Sequence, residues 1–91
     1  MVRSAVVQPG EQFACPCCGR LTLDEPPPGT WLICGVCGWE DDPVQFADID
    51  YEGGANQVSL RQARDFYRTI GISSPERLRR KQLRGLGRLP E

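Results

Sequence analysis

The chain has 91 residues, a formal net charge of −1, 5 cysteines, 8 prolines and no histidine. That length allows one small domain with a limited core, and no apolar run approaches the ~20 residues of a membrane-spanning helix. With no histidine, a Cys–His nucleophile pair cannot be assembled within it.

The near-neutral total hides a segregation of charge. Residues 1–20 carry two basic groups and one acid, residues 21–60 carry eight acids and no Lys or Arg, and residues 61–91 carry nine basic groups and three acids. An acidic half is therefore followed by a basic C-terminal half.

Residues 1–11 read as a loose leader. Val6 and Val7 suggest a short strand, ended by Pro9-Gly10. The apolar run there is too short for a secretory signal. Phe13-Ala14 leads into the first of two CxxC pairs, Cys15-Pro16-Cys17-Cys18, and the second is Cys34-Gly35-Val36-Cys37, with fifteen residues between them. This spacing points to a tetrahedral metal site formed by Cys15, Cys18, Cys34 and Cys37. Gly19 and Gly38 follow the pairs directly, as a turn with φ > 0 requires. The turn amides are then free to donate to the sulfurs and offset their negative charge. Disulfides are the competing use of such cysteines, but they belong to secreted mini-proteins. Thiolate ligands instead imply a reducing, cytoplasmic setting.

Leu21-Thr22-Leu23 alternates as a strand does. Asp24 to Gly29 contains three consecutive prolines, which remove three backbone donors, so it reads as a surface loop or hairpin tip. Thr30-Trp31-Leu32-Ile33 is β-branched and aromatic and reads as the strand feeding the second pair. The assembly expected from these pieces is two knuckle-bearing hairpins facing one another across an ion. That is a zinc-ribbon or rubredoxin-like layout within a small, metal-stapled α+β fold. A structural Zn2+ supplies on the order of 10–16 kcal/mol of folding free energy, a staple that so small a core needs.

Residues 40–58 are acidic and turn-rich. They are expected to be irregular, anchored by Val44, Phe46, Ile49 and Tyr51. Ser59-Leu60-Arg61-Gln62 is a capping box. It opens a helix that ends at Ile70, with Gly71 supplying a left-handed turn. Leu60, Ala63, Phe66 or Tyr67, and Ile70 recur on one face at helical spacing. Ser74-Pro75-Glu76 is a second helix start, leading into a weaker apolar stripe of Leu78, Leu83 and Leu86. The organisation expected is a leader at 1–11, a zinc-ribbon-like domain at 12–71 with its helix at about 59–70, and a basic C-terminal helix or tail at 72–91.

Several of these strings occur together in one known family. Cys15-Pro16-Cys17-Cys18-Gly19, Ile33 through Asp42, Gln45, Gly53-Gly54-Ala55-Asn56, and Ser59-Leu60 with Ala63-Arg64 resemble the bacterial cysteine-rich CPCC family. The resemblance runs from about Phe13 to Gly71. It implies a small metal-binding domain and assigns no activity. Gly35 stands where such proteins commonly carry a second proline, a departure that loosens the knuckle but removes no ligand.

The remaining features carry both plain and sharper readings. A site of four thiolates accepts zinc or iron, and structural sites of this kind favour one Zn2+ per chain over Fe. Cys17 lies between two ligands and reads as a small apolar filler, with a reactive thiol as the sharper alternative. Glu40-Asp41-Asp42 reads as a fixed turn packing Trp39 against the knuckle, with cation binding or acid–base work as its alternative. Trp31 and Trp39 both read as core. Arg77, Arg80, Lys81, Arg84 and Arg88 recur at close to helical spacing. Nucleic acid is disfavoured as their partner because phosphates would be repelled by residues 24–52.

The function expected is a non-enzymatic adaptor or regulatory module that binds a protein partner or itself through its bipolar charge. A rubredoxin-like electron carrier, a small metallo- or thiol enzyme using Cys17 and the Glu40–Asp42 carboxylates, and a nucleic-acid-binding zinc ribbon are the alternatives.

Overall fold

The computed structural model describes residues 10–79. It is a small α+β structure with a two-stranded antiparallel sheet, two named helices and a four-cysteine cluster. Strand β1 (Phe13–Ala14) pairs with β2 (Leu21–Leu23), Phe13 opposite Leu23 and Ala14 opposite Leu21. The first cysteine pair forms the turn between them. Leu23 is buried in the core while Leu21, two residues before it at the other end of this short strand, is exposed; the pairing shifts register between Phe13 and Ala14, and alternation puts Thr22 on the opposite face.

The second cysteine pair also sits at the tip of a hairpin-like turn, but its flanks are not regular strands. Cys34 N–H donates to Trp39 O at 2.9 Å, Asp41 N–H to Leu32 O at 2.9 Å, and Trp31 N–H to Asp41 O at 3.0 Å. Only an isolated bridge, Ile33 with Glu40, has ladder geometry. The strand expected over residues 30–33 fails at Trp31, whose φ of 62° is left-handed and breaks the extension.

Helix α1 (Pro43–Ala47) replaces the irregular structure expected there. Asp42 is its cap, with Oδ1 accepting from Val44 N–H at 2.7 Å and Gln45 N–H at 3.3 Å. Pro43 occupies the first helical position, where a missing N–H costs nothing. The anchors differ from expectation too. Val44, Phe46 and Tyr51 are exposed, and only Ile49 packs against the core.

The residues that do anchor this segment are polar. Gln45 is fully buried, and its Nε2 donates to the carbonyls of Tyr51, Asn56 and Val58 at 3.0, 3.1 and 3.0 Å. Asn56 Oδ1 accepts from Glu40 N–H at 2.9 Å, and its Nδ2 donates to Glu40 O at 2.8 Å. Asp42 Oδ2 accepts from Ala55 N–H at 2.9 Å. The whole acidic turn is thereby locked to the second cysteine hairpin. The Gln45, Asn56 and Asp42 bonds specify one arrangement because any other leaves these buried groups unpaired; beside them Asp41 Oδ1 and Trp39 Nε1 are buried without a hydrogen-bond partner.

Helix α2 (Leu60–Ile70) has the limits its sequence predicts. The Ser59 hydroxyl accepts from Gln62 N–H at 3.1 Å while Gln62 Oε1 accepts from Ser59 N–H at 2.9 Å. Gly71, at φ 78°, closes the helix. Leu60 and Ala63 are fully buried and Tyr67 packs on the core, but Ile70 in the last turn is exposed.

Packing continues past the helix. Ile72, Ser73 and Ser74 are buried, and residues 75–79 are helical behind the Ser74 hydroxyl, which accepts from Arg77 N–H at 3.1 Å. Val6, Val7 and the basic positions Arg80, Lys81, Arg84 and Arg88 lie outside the described residues. Among the described residues no helix is long and apolar enough to cross a membrane.

Candidate metal centre

The core is assembled on cysteine. Cys15, Cys17, Cys34 and Cys37 are buried beside Leu23, Trp39, Leu60 and Ala63. Both CxxC turns fold the same way. In the first, Gly19 N–H donates to Cys15 O and Cys15 N–H to Arg20 O, both at 2.8 Å. In the second, Gly38 N–H donates to Cys34 O and Cys34 N–H to Trp39 O, both at 2.9 Å. Gly19 and Gly38 take φ of 80° and 86° to make these turns, a conformation that costs glycine little.

The two turns bring together the four cysteines that the spacing singles out. The Sγ atoms of Cys15, Cys18, Cys34 and Cys37 all lie within 4.8 Å of one another and could hold a metal ion. Two of the separations are 3.6 Å, Cys15 to Cys37, and 3.7 Å, Cys18 to Cys34. A tetrahedral ion with metal–sulfur bonds of about 2.3 Å needs sulfurs about 3.8 Å apart, whereas a disulfide needs about 2.05 Å. All five cysteines are free thiols.

Donors converge on the sulfurs. Cys17 N–H reaches Cys15 Sγ at 3.4 Å, and Val36 and Cys37 N–H reach Cys34 Sγ at 3.3 and 3.4 Å. The Thr22 hydroxyl adds a bond to Cys34 Sγ at 3.0 Å. Cys34 thus collects the most donors. Hydrogen bonds from Cys15 and Cys37, then the Cys37 amide and Thr22, hold its pKa well below the ordinary thiol range. Cys15 moves the other way: its hydrogen bonds to Cys34 and Cys37, together with burial, push its pKa up. Cys37 has its pKa lowered by a hydrogen bond with Cys15 but raised by more through Cys17, Cys34 and burial, so negative charge in the cluster is favoured on Cys34.

The C-terminal part of the chain clamps both turns. From α2, Arg64 Nε donates to Pro16 O at 3.0 Å and the Tyr67 hydroxyl accepts from Arg20 Nε at 3.1 Å, both at the first turn. Beyond α2, Ser73 N–H donates to Cys37 O at 2.7 Å, and Arg77 lies over Gly38, where an added Cβ would meet its side chain at 3.5 Å. Thr22, Arg64 and Ser73 were not singled out as site residues from sequence. Thr22 follows from strand alternation once β2 is placed next to the second turn. The other two depend on tertiary contacts across 48 and 36 residues, for which the sequence carries no local signal.

Cys17 is buried in the core, outside the four-sulfur group but with its side chain within hydrogen-bonding reach of Cys37. Asp41 and Asp42 are buried and accept backbone N–H groups at 2.7–3.3 Å, forming a fixed turn. Trp39 is buried as expected. Trp31, expected in the core, is 53% exposed and sits on a left-handed backbone with φ 62°.

No curated protein matches the sequence. The family model described as Cysteine-rich CPCC matches residues 13–84, extending beyond Gly71 into the segment where Ser73 and Arg77 grip the second turn. With nearly the whole described structure inside that match, the chain belongs to the cysteine-rich CPCC family.

Proposed function

We propose that the protein is a small zinc-stapled interaction module, with one Zn2+ bound by Cys15, Cys18, Cys34 and Cys37 in a zinc-ribbon-like pair of hairpins. The observation that carries this reading is the convergence of four sulfurs within 4.8 Å at near-tetrahedral spacing. Four thiolates complete the shell of a tetrahedral ion and leave no position for a substrate, so the metal's contribution is folding free energy. The chain's own groups do the rest. Backbone N–H donors and the Thr22 hydroxyl spread the sulfur charge, while Arg64 and Ser73 fix the turns against the C-terminal part.

Iron fits the same four sulfurs, and a rubredoxin-like electron carrier is the corresponding second reading. A protein purified without added metal separates the two: colourless with zinc for the first, red with visible absorption for the second.

Action through protein contact is supported by large apolar side chains left at the surface, including Trp31, Ile33, Leu21 and Val44, each more than half exposed. It is also supported by the segregation of acidic from basic residues, which would steer and orient a partner. Nucleic acid is disfavoured, since the metal-bearing stretch 21–60 carries eight acids and no base. Free thiols accord with a reducing compartment such as the cytoplasm. The test is affinity capture at two salt concentrations with metal measured in the same eluate. Zinc with a salt-sensitive partner is expected; a protein that captures nothing and carries no metal would contradict the reading.

A further inference from the structure

Trp31 is held outward by the fold. Its φ of 62° is a conformation that bulky residues rarely adopt. Three bonds impose it: Trp31 N–H donates to Asp41 O at 3.0 Å, Thr30 N–H to Asp41 Oδ2 at 2.9 Å, and Leu32 N–H to the Thr30 hydroxyl at 3.1 Å. Asp41 is itself fully buried, so this clamp is part of the core. Strain persists only where surrounding structure over-determines it, and here its product is an indole facing water.

Trp31 has company. Of the eight large apolar residues exposed among the described residues, seven fall within residues 21–60: Leu21, Trp31, Ile33, Val36, Val44, Phe46 and Tyr51. Leu21, Ile33 and Val36 ride on the two cysteine hairpins. Gly29 approaches Pro43, where an added Cβ would lie 3.6 Å from its side chain, and this brings the Trp31 loop to the start of α1 and Val44. The same 40 residues hold eight acids and no base; Asp41 and Asp42 are buried, and the other six, Asp24, Glu25, Glu40, Asp48, Asp50 and Glu52, reach the surface. An apolar surface set among acids selects a basic, apolar partner, and Trp is among the residue types enriched as anchors at such contacts.

A segment with that chemistry occurs in this chain. Residues 80–91 carry Arg80, Lys81, Arg84 and Arg88 together with Leu83, Leu86 and Leu89. We propose that the acidic, apolar surface around Trp31 is a docking site for segment 80–91 of a second copy of this chain. Each copy offers both halves of the contact, so a two-fold dimer makes it twice in one association, whereas a chain folding back on itself makes it once. This inference rests on the interaction-module reading and names its partner.

The test is sedimentation equilibrium on the full-length, metal-loaded protein, with Trp31→Gly, Trp31→Asn and the triple variant Arg80→Glu, Lys81→Glu, Arg84→Glu. Gly and Asn tolerate the left-handed backbone, so both Trp31 variants keep the fold; metal content and melting temperature check this. The expected result is a wild-type dimer at about 0.05 M salt whose dissociation constant rises on the order of tenfold by about 0.5 M, as the Debye length contracts. All three variants should be monomers at the low salt. A wild-type monomer at every salt overturns the proposal, including one whose Trp31 fluorescence responds to the triple variant, which would mean the segment covers its own chain. A dimer that survives loss of Trp31 or the charge reversal also overturns it. Either failure leaves the module reading to the capture experiment above, so the two are decided separately.

Discussion

Asn56 directs two donors, its backbone N–H and its side-chain Nδ2, at a single atom, Gln45 Oε1, at 3.0 and 2.9 Å. The pair joins α1 to the loop before α2 and, through Glu40, to the second cysteine hairpin. A buried amide pair thus performs the anchoring that apolar side chains were expected to perform, and it leaves Phe46 and Val44 at the surface.

Replacing Gln45 with Leu keeps the volume roughly constant but strands the Asn56 donors and the carbonyls of Tyr51, Asn56 and Val58 that Gln45 satisfies. The expected cost is about 3 kcal/mol, read as a lower midpoint in urea unfolding of the metal-loaded protein. An unchanged midpoint would mean that the polar layer contributes nothing.

Gly54 tests the same layer sterically. An added Cβ would sit 2.6 Å from Asp42 Oδ2 and 2.9 Å from Gln45 Cδ, so the cap of α1 and its buried amide must both move. Gly54→Ala is expected to destabilise by about 2 kcal/mol. Gly35, whose added Cβ meets nothing within 4 Å, is the control, and Gly35→Ala should unfold at the wild-type midpoint in the same experiment.

Thr22→Val removes the hydroxyl that donates to Cys34 Sγ at 3.0 Å while keeping the branched shape that suits β2. Metal affinity is expected to fall by about tenfold with the far-ultraviolet circular dichroism unchanged. Competition with a chromophoric chelator measures it, and equal affinities would remove Thr22 from the site.

Local signals in the sequence were dependable where the physics is local. The Ser59–Gln62 box, the Gly71 cap and the two glycine-closed cysteine turns involve residues within a few positions of one another, and each lies where its pattern indicates. Asp42-Pro43 was an available start signal for α1, an N-cap followed by proline at the first helical position, but the surrounding acids and glycines favour a loop reading. Trp31 and Gln45 were opaque for a different reason. Composition puts an indole in the core and gives an amide no anchoring role, and only the long-range bonds through Asp41 and Asn56 turn Trp31 outward and make Gln45 an anchor. The four sulfurs were legible because two short turns fix each pair, and only one distance, turn to turn, remained for the tertiary fold to set.

Metal binding should be coupled to protons with a defined sign. In the metal-free chain Cys15 and Cys37 are pushed above the ordinary thiol value of 9.0, while hydrogen bonds hold Cys34 well below it. An ion bound to all four sulfurs must displace protons from both raised thiols, Cys15 and Cys37. Affinity is therefore expected to rise as pH increases through the neutral range and to fall as it decreases. Titration calorimetry in buffers of different ionisation enthalpy reads the released protons directly, and heats independent of buffer would contradict the assignment.

The central claim is a single metal ion closed within Cys15, Cys18, Cys34 and Cys37, with Cys17 excluded. Elemental analysis of natively purified protein addresses it most directly, comparing wild type with Cys34→Ser and Cys17→Ser. The expected result is one zinc per chain in wild type and in Cys17→Ser, and loss of both metal and cooperative unfolding in Cys34→Ser. Full zinc retention by Cys34→Ser, or its loss from Cys17→Ser, would contradict the account.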